Sequence, residues 1–467
     1  MAIEVHADPQ KAVLALERLY EAESGRLRSA FDDFARGQLP DGRVRAFYPL
    51  LRAKIENVQL SRVTQSYGFC EQPGSYEASV TRPDLFERYL VEQLDKLRCS
   101  HGCSFETLLS DVAMPVHFAF PNGLHVERGL TSGQLEVFAE LFDAPDLATM
   151  DDQQVNGERE TPGGQPRPLS LFSAPRIDYS LHRLLHYTGT DCRHFQKFVL
   201  LTNYQFYVDG FRELAKTLVA DAASDYIDFV EPEGDARARQ MPAYHLKRED
   251  GEGVTLINIG VGPSNAKTMT DHIAVLRPSA WIMLGHCAGL RHTQRLGDYV
   301  LAHGYVRDDH VLDADLPLWV PIPALAEIQV SLERAVSETA GLEPHEIKRV
   351  MRTGTIASID NRNWELRDQS EPVRRFSQSR AIALDMESAT VAANGFRFRV
   401  PYGTLLVISD RPLHRELKLP GMASEFYQTQ VERHLAIGLR TMEILRELPN
   451  ERLHSRKLRS FNEVPFQ

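Results

Sequence analysis

The sequence predicts an α/β protein in two parts, a smaller α+β domain over residues 1–170 and a larger α/β domain over 171–467. Three observations carry this. Beyond residue 170, short apolar β-branched runs alternate with amphipathic stretches, the pattern of strands and helices around a sheet buried on both faces. Residues 150–168, MDDQQVNGERETPGGQPRP, are polar and rich in Gly and Pro, which marks a domain boundary or a long surface loop. A chain of 467 residues, 43% of them hydrophobic, is long enough for two or three domains.

In chain order, residues 11–36 place Val13, Leu14, Leu16, Leu19, Tyr20, Phe31 and Phe34 at helical spacing. Residues 76–80 read as a strand. Pro83 opens a helix where its missing N–H costs nothing, Asp84 suits the first turn, and Leu85, Phe86, Tyr89, Leu90, Leu94 and Leu97 follow. After the boundary come strands at 198–202 (FVLLT) and 254–259 (VTLINI), with a helix over 207–218 between them. The turn Gly260-Val-Gly262-Pro-Ser264-Asn265-Ala266 leads into a helix through Leu276, capped by Ser264 or Asn265. A strand at 280–284 ends in Gly285-His-Cys-Ala-Gly289. Strands at 299–302, 350–357, 381–384 and 404–408 complete the sheet, and a helix over 425–448 turns Val431, Leu435, Met442 and Leu445 inward.

Composition narrows the function classes. A net charge of -11 argues against a dedicated nucleic-acid or anionic-membrane surface. No apolar run approaches 18 residues, so no membrane span is expected, and the amino terminus lacks a basic segment leading into an apolar one, so no secretion signal is expected. Five cysteines, at 70, 99, 103, 192 and 287, suit reduced thiols in the cytoplasm. Cys99-Ser-His101-Gly-Cys103 lacks a second ligand pair at a useful spacing, so no metal site is expected.

The stretch Ala381–Asp410 concentrates the chemistry. One apolar run delivers Asp385, Met386 and Glu387; the next delivers Ser409 and Asp410; residues 388–396 between them read as a helix. As a strand–helix–strand unit this puts two adjacent strands side by side, with Glu387 and Asp410 at one mouth, where ligands collect in parallel sheets. The alternative for each acid is to cap the helix or turn that follows it. The turn at 260–266 fails the dinucleotide fingerprint, because Asn265 stands at its third glycine and no strand-end acid follows at the required distance. What remains is a helix N-terminus suited to an anion or hydroxyl, and Gly285–Gly289 repeats the device one strand later. Trp364, beside Asn363, either packs on the domain surface or stacks on a planar base. Arg291, Arg352 and Arg362 flank the same loops.

Together Gly260-Val-Gly262, Gly285-His-Cys-Ala-Gly289, Gly297-Asp-Tyr-Val300, Asp385-Met-Glu387-Ser-Ala389 and Ile408-Ser-Asp410 resemble the nucleoside phosphorylase and nucleosidase superfamily. HYTGTDCRHFQKFVLLTNYQFYVD, NIGVGPSNAKT, RDDHVLDA, RTGTIAS, RNWELR, RLHSRKLRSFNE and the amino-terminal GSYEASVTRPDLFERYLVEQL are similar to its AMP nucleosidase branch. The resemblance implies a three-layer carboxy-terminal domain around a central mixed, largely parallel sheet, with AMP as substrate. It implies that Met386 and Glu387 sit under the ribose, with Glu387 accepting from the sugar hydroxyls, and that Asp410 acts at N7 of the purine. Gly262, Gly285, His286, Ser409, Asn363 and Trp364 are the further expected substrate contacts. Asn203, Tyr204, Arg239, Arg291 and Arg362 are candidates for the 5′-phosphate by loop position. The resemblance further implies a homohexamer, no cofactor for the chemistry, and control through the amino-terminal domain with MgATP as activator and phosphate as inhibitor. The sequence holds no Walker-type loop.

Elementary chemistry points the same way. Breaking an N-glycosidic bond builds positive charge on the ribose and drives electrons into the base. Adenine leaves poorly as an anion, so an acid kept protonated by burial must supply a proton. Hexameric phosphorylases place an arginine before the second glycine turn to bind attacking phosphate; this chain has Met283-Leu-Gly285-His286 instead. That departure favours water as nucleophile. The competing readings are a purine nucleoside phosphorylase and a non-catalytic nucleotide sensor.

Overall fold

The computed structural model describes residues 3–58, 65–121, 126–159, 161–234, 239–416, 424–453, 458–461 and 463–467, with the side chains of 424–429, 450 and 451 excepted. Contacts divide the chain into two compact units, Met1–His186 with Arg459–Gln467, and Tyr187–Leu458.

In the first unit the strands are β1 (Glu4–His6), β2 (Phe47–Ile55), β3 (Gly74–Ser79), β4 (Phe105–Ala113) and β5 (Arg167–Pro168), and the helices are α1 (Pro9–Ala35), α2 (Pro83–His101), α3 (Ser132–Leu141), α4 (Gln153–Asn156) and α5 (Ala174–Thr188), in which the division falls. The sheet order is β1-β4-β2-β3-β5, antiparallel except for the β3–β5 pair. Asp8 caps α1 by accepting from the N–H groups of Gln10 and Lys11, and Pro9 occupies its first turn. The helix buries Leu16, Tyr20, Leu27, Phe31 and Phe34. Phe31 and Phe34 meet Phe138 and Phe142 as tilted and edge-on ring pairs, which join α1 to α3 and the residue after it. Strands β2 and β4 carry charged residues among their apolar ones, which is why periodicity alone did not single them out.

The second unit holds β6 (Phe198–Thr202), β7 (Asp228–Val230), β8 (Ala243–Lys247), β9 (Val254–Asn258), β10 (Ala280–Gly289), β11 (Tyr299–Asp308), β12 (Met351–Ile359), β13 (Ala383–Asp385) and β14 (Tyr402–Asp410). Its helices are α6 (Gln205–Ala220), α7 (Pro263–Ile273), α8 (Ala326–Ala340), α9 (Ser370–Ser379), α10 (Ser388–Phe398) and α11 (Ser424–Arg446). The nine strands order as β13-β12-β11-β14-β10-β6-β9-β8-β7, and β13 also pairs with β10. Every residue of β10 is buried, the expected state of a strand covered on both faces. Trp281 donates its indole N–H to the Val391 carbonyl of α10. On the alternate face, a side chain at Gly438 of α11 would strike Leu284, and one at Gly403 would strike Ile328 of α8. Period-two alternation thus sets α10 on one side of the sheet and α8 and α11 on the other, giving three layers around a mixed sheet.

Three expectations are overturned. The N-cap of α7 is Gly262, and Ser264 and Asn265 lie inside the helix; Gly285–Gly289 continues β10 as strand and forms no turn. β13 and β14 are not neighbours: β10 lies between them, parallel to β14 and antiparallel to β13. The strands that frame α10 therefore run in opposite directions. No helix among the described residues is long and apolar enough to cross a membrane.

Candidate active site

The site is built where β6, β9 and β10 end. Each is a run of fully or nearly fully apolar residues that stops at a glycine or a short polar residue, so backbone can approach a ligand there. Glu387 stands at its centre, at the N-terminal boundary of α10, and is 2% exposed. Its Oε1 accepts from the Gly262 N–H at 2.6 Å, and its Oε2 from the Asn203 Nδ2 at 2.9 Å. Gly262 has φ 115, a conformation that only glycine adopts without strain, and it precedes Pro263 at the start of α7. The glycine turn is thus an anion site at a helix N-terminus, as its pattern predicts, and the anion it holds is a carboxylate of the same chain. Gly285 serves a second end: a side chain there would come within 3.4 Å of Asn203 Oδ1, so the glycine lets Asn203 lie across β10 toward Glu387.

Burial dominates the electrostatics. It pushes the Glu387 carboxyl up to about 8, the nearby Asp385 charge adds to the rise, and the hydrogen bonds from Gly262 and Asn203 oppose it. Asp385 is likewise raised by burial, against donors from Ser358 and Ser388. Asp309, whose Oδ2 accepts from Thr390 Oγ1 at 2.8 Å, is pushed up to about 6, again mainly by burial. No Lys or Arg forms an ion pair with Glu387 or Asp385 among the described residues.

Asp410 enters from β14. The register between β10 and β14 steps from Cys287↔Ile408 to Ala288↔Asp410, so Ser409 is the extra residue of a bulge that re-aims the strand end. The Ser409 hydroxyl donates to Asp410 Oδ1 at 2.6 Å and lies 3.4 Å from the Cys287 carbonyl. Burial raises the Cys287 thiol, with Asp385 and Asp410 adding to it, so both acids act on β10 from its two sides. His286 is buried with its ring centroid 4.8 Å from that of Tyr204 and 5.6 Å from that of Tyr207.

The structure therefore gathers Glu387, Asn203, Gly262 and Gly285, joins Tyr204 to His286, and ties Ser409 and Asp410 to the same strand. Met386 is half-buried between Asp385 and Glu387. The other candidates have different surroundings. Trp364 is 8% exposed and packs edge-on against Phe376 in a cluster with Leu384, Leu290 and Ile359, so its ring belongs to a core and is not an open stacking platform. Arg362 and Asn363 beside it are exposed. Arg239 is exposed and its side chain lies over Gly189; Arg291 is half-buried, with its N–H donated to Gln294. None of these donates to Glu387. Sequence reasoning missed Ser358, Ser388, Asp309 and Thr390, whose residue types are too common in helix caps and strand ends to stand out. Asp385 was legible only as a strand-end acid.

Comparison with known proteins gives the family of the chain. Residues 11–166 match the family described as Bacterial AMP nucleoside phosphorylase N-terminus, and residues 213–443 match the Phosphorylase superfamily. AMP nucleosidases of two Escherichia coli strains, K12 and O157:H7, are each 45% identical over 483 residues, covering 98% of this chain and 98% of theirs. Among solved structures, the chain is similar to an AMP nucleosidase from Bacteroides thetaiotaomicron, at 29% identity and TM-score 0.45 over 58% of this chain and 98% of that one. The full-length identity, together with both family matches in their proper order, means that the chain belongs to the AMP nucleosidase family.

Proposed function

We propose that this protein hydrolyses the N-glycosidic bond of AMP to adenine and ribose 5-phosphate. Glu387 is the single observation that supports the reading best: a buried carboxylate held in place by the Gly262 backbone N–H and the Asn203 amide. In this reading the ribose lies against Met386 and Glu387. The C1′–N9 bond breaks, its electron pair moves into the purine, and Asp410 delivers a proton to the ring. Water adds at C1′ and loses a proton. Glu387 works ionised, accepting from the sugar hydroxyls and facing the positive charge on the ribose, where a preorganised carboxylate is most effective. Ser409 fixes the Asp410 carboxyl by its hydrogen bond. The geometry of Asn203 suits it to orienting Glu387, and it is assigned there and not to the phosphate.

Purified protein incubated with AMP in phosphate-free buffer should release adenine and ribose 5-phosphate. A strict requirement for inorganic phosphate, with a ribose 1-phosphate product, establishes a phosphorylase instead. Residues 1–170 are assigned to control by MgATP and phosphate, no cofactor is needed for the chemistry, and the working species is a homohexamer. Adenine release with and without MgATP tests the first assignment, and mass photometry the last.

A further inference from the structure

The site rests on a polar assembly that the scheme above leaves unused. Asp385 is 7% exposed and ends β13, two residues before Glu387. Its Oδ2 accepts from the Ser388 N–H at 2.9 Å and from the Ser388 hydroxyl; its Oδ1 accepts from the Ser358 Oγ at 2.5 Å. Ser358, on β12, in turn accepts from the Ala389 N–H at 2.9 Å. The first two N–H groups of α10 are therefore held by one carboxylate and one hydroxyl, and Glu387 is the residue caught between this clamp and β13. Register supports the clamp: Ser358 pairs with Asp385 across the β12–β13 ladder. Deeper in, Thr390 of the same helix turn donates to Asp309, the residue after β11, so two strands and the end of a third grip one helix start.

We propose that Asp385 is a positioning residue for the reaction, acting through Glu387: it anchors the peptide that carries Glu387 and supplies the negative charge against which Glu387 ionises. The proposal rests on the reading of Glu387 as the ribose ligand. A merely structural cap of α10 needs only an acceptor, which asparagine or serine supplies. Asp385 offers a full charge in a place where a second acid must also ionise, so its identity affects function and not just folding. The ionisable groups on the elements packed around Glu387 include Asp385 on β13, Tyr305 and Arg307 on β11 with Asp309 just after it, His286 and Cys287 on β10, and Asp410 on β14. Lys267 and Asp271 of α7 are paired with each other. Of these, Asp385 is the charge that acts on Glu387 directly.

The signs follow. An ionised Asp385 opposes ionisation of Glu387, so neutralising it lets Glu387 lose its proton at lower pH. In the full-length protein, Asp385→Asn should move the limb on which kcat/KM for AMP rises with pH toward acid by about one unit. Because the clamp is also loosened, kcat should fall by about 100-fold, the typical effect of an ångström of misplacement, with a smaller change in KM. Ser358→Ala removes a donor to Asp385 without touching charge; it favours neutral Asp385 and should shift the same limb in the same direction by less. Melting temperature against pH reads the same ionisation without substrate: the wild type loses stability as pH rises through the Glu387 pKa, and Asp385→Asn should lose less. An unshifted limb in Asp385→Asn overturns the proposal; if that variant does not fold, an unshifted limb in Ser358→Ala does. If the wild type releases no adenine from AMP, the proposed function fails. The melting profiles then decide this inference alone, and identical profiles for wild type and Asp385→Asn overturn it.

Discussion

Two glutamates, one in each unit, show two ways of holding a carboxylate. Glu106 on β4 faces Arg52 on β2 in direct register, and Arg52 also faces Glu77 on β3, so a cation stands between two acids across three strands. Lys54 adds a second cation to Glu106 at 2.5 Å. The hydrogen bond from Lys54, followed by that from Arg52, draws the Glu106 carboxyl below its usual range. Glu387 has no cation beside it among the described residues. It is balanced by one backbone N–H, one amide and the start of a helix, and burial carries it up to about 8. Charge met by charge produces an acid that stays ionised at neutral pH. Charge met by dipoles produces one poised near neutrality, free to change its bonding when a substrate arrives.

The contrast can be broken or sharpened by mutation. The largest effect should come from Asp410→Asn, which removes the proton donor: adenine release at saturating AMP should drop by about 10³-fold, within the range for general acid catalysis, with an unchanged melting temperature. Glu387→Gln should cost about 100-fold in kcat. It should also melt higher than wild type at pH 8.5 and no higher at pH 5. An acid raised by burial stabilises the fold while protonated and loses that contribution as pH climbs through its folded pKa; glutamine stays neutral throughout. A lower melting temperature at pH 8.5 would contradict the account of how Glu387 is held. Gly262→Ala meets no atom within 4 Å, so its cost is backbone strain of about 1–3 kcal/mol, and kcat should fall by about tenfold as the N–H to Glu387 tilts away. The smallest effect belongs to the other glutamate. Arg52→Met should destabilise by about 1 kcal/mol at pH 7 and less in high salt, leaving kcat untouched. Because Glu106 is drawn downward, that contribution is present above its unfolded pKa of about 4.5 and should vanish as the pH is lowered through its folded value. Urea melts at pH 7 and pH 3 would show it.

Much of this was legible in the chain. FVLLT and VTLINI are strands β6 and β9 to within a residue or two, the turn at Gly260–Gly262 follows the end of β9 whereas Gly285–Gly289 continues β10, and the DMES and ISD runs carry the two acids. Pairing was not legible. β10, β13 and β14 are all largely apolar, so nothing in their composition says which lies beside which, and β10 stands between the other two, which run in opposite directions. Whether Trp364 packs or stacks stayed open in the sequence, because whether a loop aromatic packs inward depends on partners such as Phe376 and Leu384, which sit elsewhere in the chain. Ser358 and Ser388 were invisible for the same reason: a serine becomes a clamp only when a buried carboxylate is brought to it.

The double pairing of β13 has its own consequence. Because β13 bonds to β12 on one side and β10 on the other, the strands β10, β14, β11, β12 and β13 close into a ring. The segment that delivers Glu387 is three residues long, yet it offers no open edge for another chain to extend, and it cannot fray without breaking two ladders together. The sheet's exposed margin is instead β7, equally short and beginning on an acid, at the far end of the strand order. Breathing of the sheet should start at β7, and backbone amides around Leu384 should exchange with solvent as slowly as those of the longest central strand.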